Sequence, residues 1–154
     1  MKDEWRETVE RLRTYFKEKE GVEYSEQVIR SGLVPSHRGV MEKPQGYAEA
    51  RRSCGDGIIF FLQIRQDKIT RARFFSAGCI ATVASGNAAA VMAEGKDVYE
   101  AFDIDAAAIA EALGGLPEKE DHCAELACEA LRQALRDYLT YRREPWKRAY
   151  PQKM

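Results

Sequence analysis

Apolar positions at helical spacing predict two helices at the start of the chain. In residues 3–20, apolar residues recur every three or four positions among charged ones, which is typical of an amphipathic helix. These apolar positions are Trp5, Val9, Leu12 and Phe16. The segment YSEQVIRSG, residues 24–32, predicts a second, short helix that Gly32 ends. Residues 35–46 contain two prolines and two glycines and are therefore expected to form a loop.

A change to alternating apolar and polar positions predicts a sheet in the middle of the chain. In GIIFFLQIR, residues 57–65, one face is apolar, whereas Gln63 and Arg65 fall on the other face. The apolar face consists of Ile58, Phe60, Leu62 and Ile64. The flanking segments GYAEARRS and ITRARFFSA have the composition of strands that pair with it. We therefore expect three antiparallel strands joined as a meander.

The chain after Gly78 is expected to be helical, with an alanine-rich helix over residues 79–95, another over 105–115 and a long last helix after Pro117. Expected buried positions are Ile80, Val83, Ala84, Asn87, Ala88 and Val91 in the first and Ala127, Ala130, Leu131, Ala134 and Tyr138 in the last. Strands followed by helices indicate an α+β domain, with helices packed on one face of a three-stranded antiparallel sheet.

The same pattern divides the chain into three parts. We expect an N-terminal helical extension (1–22), one main domain (23–139) and a basic C-terminal tail (140–154). The sequence LTYRREPWKRAYPQKM at the C-terminus combines basic and aromatic residues. A solvated tail, or a strap that docks on an acidic protein partner, is favoured over nucleic-acid binding, because charge runs alone are weak evidence.

Composition excludes some classes of partner. The 24 basic residues nearly balance the 25 acidic ones, so no strong field attracts nucleic acid or anionic lipid. No apolar run approaches the roughly 20 residues that span a bilayer. The first residues, MKDEWRETVERLR, are too charged for a signal-peptide core, so we expect a cytoplasmic protein.

Three cysteines lie at the borders of predicted elements. Cys54 lies between the first two strands, Cys79 lies between the third strand and a helix, and Cys123 lies near the start of the last helix. Asp56 and His122 accompany them, and Cys123 near a helix N-terminus is expected to have a stabilised thiolate. Thiolates with one carboxylate and one imidazole suit zinc or an iron–sulfur centre. The fourth cysteine, Cys128, lies in the middle of the helix and is expected to be either core or a surface residue without a role in the site.

At these residues the chain resembles the IscU/NifU-type family of iron–sulfur cluster assembly scaffolds. The similarity extends over roughly residues 24–138 and comprises several motifs in order. These motifs are YSEQVI, GYAEARRSCGD, FFSAGCIATVAS, EGKDVYEAFDI and LPEKEDHCAELACEAL. The resemblance implies the fold of the NifU N-terminal domain.

The resemblance also implies a function and a set of site residues. The cluster ligands would be Cys54, Cys79 and Cys123, with Asp56 or His122 as the fourth, and the same residues could bind zinc in the apo-scaffold. A cysteine desulfurase would deliver sulfur to a thiol, expected to be Cys123. A 2Fe–2S cluster would form from iron and this sulfur and pass to apo iron–sulfur proteins. The resemblance leaves open whether the scaffold is a monomer or a homodimer.

Departures from the family pattern leave alternatives. The family motif Leu-Pro-Pro-Val-Lys is replaced by LPEKE, which argues against hand-off through the usual specialised Hsp70 chaperone. A zinc-bound sulfur acceptor that regulates a desulfurase is the main alternative function. A hydrolase using Cys123, His122 and Asp56 is disfavoured, because adjacent helical residues point about 100° apart. A family member that has lost its site is disfavoured because all five candidate ligands are present.

Overall fold

The computed structural model describes residues 2–53 and 55–147, and Cys54 lies outside the described residues. The helices are α1 (Lys2–Glu20), α2 (Glu26–Leu33), α3 (Ile80–Ala93), α4 (Val98–Ala101), α5 (Ala106–Ala112) and α6 (Asp121–Tyr141). The strands are β1 (Gly46–Arg51), β2 (Gly57–Arg65) and β3 (Lys68–Phe75). Short 3₁₀ turns occupy Glu118–Glu120 and Pro145–Lys147.

The sheet is the predicted antiparallel meander, with strand order β1-β2-β3. Gln66 and Asp67 form the two-residue turn between β2 and β3, and both have positive φ (53° and 61°). Such turns match the right-handed twist of the strands that they join. Asp67 is held there by the hydroxyl of Tyr138, which donates a hydrogen bond of 2.5 Å from α6 to its carboxylate.

Helices α3 and α6 cover the sheet, as the order of elements predicted. Gly46 allows α6 to approach β1 closely, because a Cβ there would lie 2.7 Å from the Ala134 carbonyl oxygen. Between the layers, the apolar face of β2 is buried as predicted. The expectation for Val91 was wrong: its side chain is 47% exposed. Helix α3 is apolar on nearly all sides, so its pattern could not identify the single uncovered face.

The N-terminal helix packs on the main domain from Val9 onwards. Val9 is buried, and Phe16 makes an edge-to-face contact with Tyr24, with ring centroids 5.1 Å apart. Arg13 donates a hydrogen bond of 2.9 Å to the Tyr24 carbonyl. Trp5, predicted on the apolar stripe, is 40% exposed because the contact lies further along α1. Among the described residues, no helix is both long enough and apolar enough to cross a membrane.

Candidate functional site

Two of the predicted cysteines meet at one end of the sheet. Cys79 is the residue immediately before α3, separated from the end of β3 by three residues, and Cys123 is the third residue of α6. The sulfur of each lies 3.3 Å from the hydroxyl oxygen of Thr82, one turn into α3. Cys79 is exposed, whereas Cys123 is fully buried, so the pair extends from the surface into the core.

Thr82 connects this pair to the loop between β1 and β2. Its buried hydroxyl lies 3.3 Å from the Asp56 carboxylate as well as 3.3 Å from each of the two sulfurs. Gly78 makes this close approach possible, because a Cβ there would lie 3.1 Å from Asp56 Oδ1 and 3.0 Å from Thr82 Cγ2. The Thr82 hydroxyl group therefore lies between the Asp56 carboxylate and the two cysteine sulfurs, within hydrogen-bonding distance of all three.

Glu120 lies against both sulfurs. Its Oε2 atom is 3.5 Å from Cys123 Sγ and 3.9 Å from Cys79 Sγ. Its other oxygen accepts a hydrogen bond of 3.3 Å from the hydroxyl of Tyr24. Within the described part of the chain, Cys79, Glu120 and Cys123 are the residues whose ligand atoms all lie within 4.8 Å of one another and could hold a metal ion.

The pKa values of the two thiols are shifted in opposite directions. A hydrogen bond from Cys123, with further contributions from Thr82, lowers the pKa of Cys79 to about 6. The same interaction with Cys79, together with burial, raises the pKa of Cys123 above its ordinary value. The expectation of a stabilised thiolate at Cys123 was therefore wrong, since the exposed Cys79 carries the negative charge more readily. Burial, and then the nearby Glu120 carboxylate, raise the pKa of the Tyr24 hydroxyl.

His122 does contact its neighbour in sequence. Its Nε2 atom lies 3.6 Å from Cys123 Sγ, so the expectation that the two side chains diverge was wrong. The angle of 100° between adjacent helical residues applies to the Cα–Cβ bonds, and rotation of the imidazole returns its far nitrogen to the sulfur. Cys54, the remaining predicted ligand, lies outside the described residues.

Cys128 is a core residue, which is one of the two expected placements. It is buried, and its thiol donates a hydrogen bond of 3.5 Å to the carbonyl of Ile104. Thr82 and Glu120 were not identified from the sequence. A local signal exists for both, since Thr82 follows Cys79 by three residues and Glu120 precedes Cys123 by three, a spacing that places side chains on one helical face.

Comparison with known proteins identifies similar sequences. The family model described as NifU-like N-terminal domain matches residues 23–144. The chain is 37% identical over 116 residues to iron–sulfur cluster assembly scaffold protein IscU 1 of Archaeoglobus fulgidus, covering 75% of this chain and 76% of that protein. It is 34% identical over 120 residues to the IscU scaffold protein of Aquifex aeolicus, covering 76% of each chain.

Solved structures share the fold. The SufU protein of Fervidobacterium islandicum superposes with a TM-score of 0.62 at 22% identity, over 73% of this chain and 96% of that one. The N-terminal NifU-like protein of Brucella abortus superposes with a TM-score of 0.59 at 17% identity, over 76% of this chain and 94% of that one. At these identities the likeness establishes the α+β fold alone.

Proposed function

The chain belongs to the family of NifU-like N-terminal domains, and from this premise we propose that it is a scaffold for iron–sulfur cluster assembly. A 2Fe–2S cluster is built on it from iron and sulfur and is then transferred to apo-proteins. The observation that carries this proposal is the convergence of Cys79 and Cys123, with Asp56 one hydroxyl group away, at the end of the sheet. Relatives at 34% and 37% identity are named cluster assembly scaffolds, which supports it.

The proposed cluster ligands are Cys54, Cys79 and Cys123, with Asp56 or His122 as the fourth. Soft thiolates suit iron, while a carboxylate or imidazole is a different, more readily exchanged ligand at one corner. Such a mixed set favours release of the cluster. His122 lies against Cys123 and Asp56 lies beside Thr82, so both are close enough to complete the set after small side-chain movements.

In the proposed sulfur delivery, a thiolate of the scaffold attacks the terminal sulfur of a persulfide on a cysteine desulfurase. The sulfur–sulfur bond breaks, and its electron pair leaves on the desulfurase cysteine. Two electrons from a thiol-class reductant then convert the transferred sulfur to sulfide. Cys123 is the proposed acceptor. Because it is fully buried, its reaction requires a local movement at the start of α6.

The proposal also covers the partners of the chain, the bounds of the scaffold domain and the compartment in which it works. The chain acts as a carrier without turnover of its own, with a desulfurase and apo iron–sulfur proteins as partners. Replacement of the family motif by LPEKE argues against the specialised chaperone. We place the scaffold domain at residues 23–139, between the N-terminal helix and the basic tail. A cytoplasmic, reducing compartment suits the free cysteines, since the chemistry requires thiolates.

A zinc-bound sulfur acceptor that regulates a desulfurase is the second candidate. Two sulfurs and a carboxylate oxygen within 4.8 Å of one another are also a suitable donor set for zinc. A cysteine hydrolase is less well supported. His122 contacts Cys123, but the sequence places no glycine-rich loop beside these two residues that could form an oxyanion hole.

Anaerobic reconstitution with ferrous iron and a sulfide source tests the proposal. We expect a visible chromophore with iron and sulfide in equal amounts, lost in Cys54→Ala, Cys79→Ala and Cys123→Ala. The matched control is Cys128→Ala, which removes a buried thiol from the next turn of the same helix and should retain the chromophore. Tight zinc binding without a chromophore would move the protein to the sulfur-acceptor function. Absence of any bound metal would refute both.

A further inference from the structure

Glu120 presents an unneutralised carboxylate to the two cysteines. Its Oε2 atom contacts both sulfurs, and its Oε1 atom accepts a hydrogen bond from Tyr24. In the described part of the chain, no basic side chain forms an ion pair with it. Two sulfurs and a carboxylate oxygen that lie within 4.8 Å of one another are the ligand types that a divalent cation such as zinc binds. This arrangement therefore suits a cation between the three groups.

We propose that Glu120 is the oxygen ligand of a divalent-cation site that it forms with Cys79 and Cys123. The site takes a first-row cation such as ferrous iron or zinc before a cluster is assembled. This inference rests on the proposed scaffold function and deepens it, because it names the group that receives the incoming metal. It also adds a ligand to the five candidates that the sequence had indicated.

The two sulfur–oxygen separations fit such a site. Metal–sulfur bonds of about 2.3 Å and a metal–oxygen bond of about 2.1 Å in tetrahedral geometry place sulfur and oxygen about 3.6 Å apart. The two observed sulfur–oxygen distances, 3.5 Å to Cys123 and 3.9 Å to Cys79, lie on either side of that value. A cation can therefore enter with small side-chain adjustments, and His122 or Asp56 can supply a further ligand.

The N-terminal helix supports this carboxylate from behind. The Tyr24 hydroxyl donates a hydrogen bond to Glu120. The Tyr24 ring packs against Phe16, and the Tyr24 carbonyl accepts a hydrogen bond from Arg13. Residues that hydrogen-bond to a metal ligand fix its orientation and affect metal affinity. Tyr24 is thus a positioning residue, and the contacts from α1 extend the support of the site to the helix that precedes the main domain.

Titration of the full-length apo-protein with Co²⁺ and Zn²⁺ under anaerobic conditions tests the inference. Co²⁺ reports its ligands through visible absorption, and Zn²⁺ affinity is measured by competition with a chromophoric chelator. Glu120→Gln keeps the size of the side chain and removes its charge. We expect it to weaken Zn²⁺ binding more than about 100-fold, beyond the roughly 10–100-fold range typical of residues that only support a ligand, and to change the Co²⁺ ligand-field bands.

Two further variants make the result specific. Glu118→Gln removes an exposed carboxylate from the same 3₁₀ turn and should leave both titrations unchanged. Tyr24→Phe should weaken Zn²⁺ binding about tenfold and leave the ligand-field bands of bound Co²⁺ unchanged, since it alters only the hydrogen bond that orients Glu120. Thermal unfolding of the apo-proteins checks that each variant folds. Zn²⁺ affinity and Co²⁺ spectra of Glu120→Gln that match those of Glu118→Gln would overturn the inference.

The inference and the proposed function can fail separately. If the wild-type chain assembles a cluster and Glu120→Gln binds Zn²⁺ and Co²⁺ normally, the scaffold function stands and the role of Glu120 is refuted. If no cluster forms but Co²⁺ binding depends on Glu120, the cation site stands and the scaffold function is refuted. A wild-type chain that binds neither Co²⁺ nor Zn²⁺ would also overturn the inference.

Discussion

Replacement of Thr82 by valine tests how the two cysteines share one proton. A hydroxyl group has a single proton to donate and also accepts hydrogen bonds. The geometry allows Thr82 to donate a hydrogen bond to the Cys79 sulfur over 3.3 Å, in addition to the hydrogen bond that Cys79 accepts from Cys123. Valine has nearly the same shape and cannot donate this hydrogen bond. We expect Thr82→Val to raise the pKa of Cys79.

The size of the shift follows from the hydrogen bond that is removed. Hydrogen bonds to charged groups contribute about 1.5–3 kcal/mol, and one pKa unit corresponds to about 1.4 kcal/mol. Cys79 is exposed, and the Thr82 proton is shared with Asp56, so the lower end of that range applies. The pKa of Cys79, about 6 in the wild type, should therefore rise by about one unit in Thr82→Val.

The rate of alkylation of the apo-protein by iodoacetamide, measured from pH 4.5 to 9 and assigned to peptides by mass spectrometry, reports this pKa. Cys79 should show a midpoint near pH 6 in the wild type, because only its thiolate reacts. Ser85→Ala is the matched control, since the buried Ser85 hydroxyl, one turn further along α3, lacks a hydrogen-bond partner among the described residues. An unmoved midpoint in Thr82→Val would refute the proposed sharing.

Three other predictions concern the surroundings of the site and the fold. Gly78→Ala should weaken Zn²⁺ binding in chelator competition, because its Cβ would lie 3.1 Å from the Asp56 carboxylate and displace it. Gly86→Ala should lower the free energy of unfolding by about 1–3 kcal/mol in denaturant titration, because its Cβ would lie 2.7 Å from a β3 ring. Tyr138→Phe should lower the free energy of unfolding by about 1–2 kcal/mol at pH 7, because the hydrogen bond to Asp67 is lost. Burial and Asp67 raise the Tyr138 pKa from 10.0 to about 12, so this difference should disappear as the pH rises from 10 towards 12. Variants that match the wild type in these assays would contradict the corresponding contact.

Local patterns in the sequence were sufficient for most of the fold. Alternation in β2 identified the face that packs on the helices, and glycine and proline positions marked the ends of elements. The pattern failed in α3, where Val91 is exposed although the helix is apolar on nearly all sides. A helix without a polar face gives no periodic signal, so only the packing of neighbouring elements decides which residue stays uncovered.

The site was less predictable than the fold, because its contacts join distant parts of the chain. The spacing of cysteines at element borders indicated that Cys79 and Cys123 would meet. Glu120 was not identified, although it lies three residues before Cys123 and shares its helical face. Its support by Tyr24 joins residues 96 positions apart, and no local pattern indicates such a contact. The lowered pKa of Cys79 likewise depends on its hydrogen bond from Cys123, 44 positions away, and then on the burial of that partner.

Transfer of a cluster tests the central claim most directly. The reconstituted protein would be mixed anaerobically with an apo-ferredoxin of the 2Fe–2S type, and the two proteins would be separated and assayed for iron and sulfide over time. The account predicts that iron and sulfide leave this chain in equal amounts and appear together on the ferredoxin. Retention of the cluster by this chain would contradict the scaffold function and indicate a permanent cofactor, held by the same cysteines.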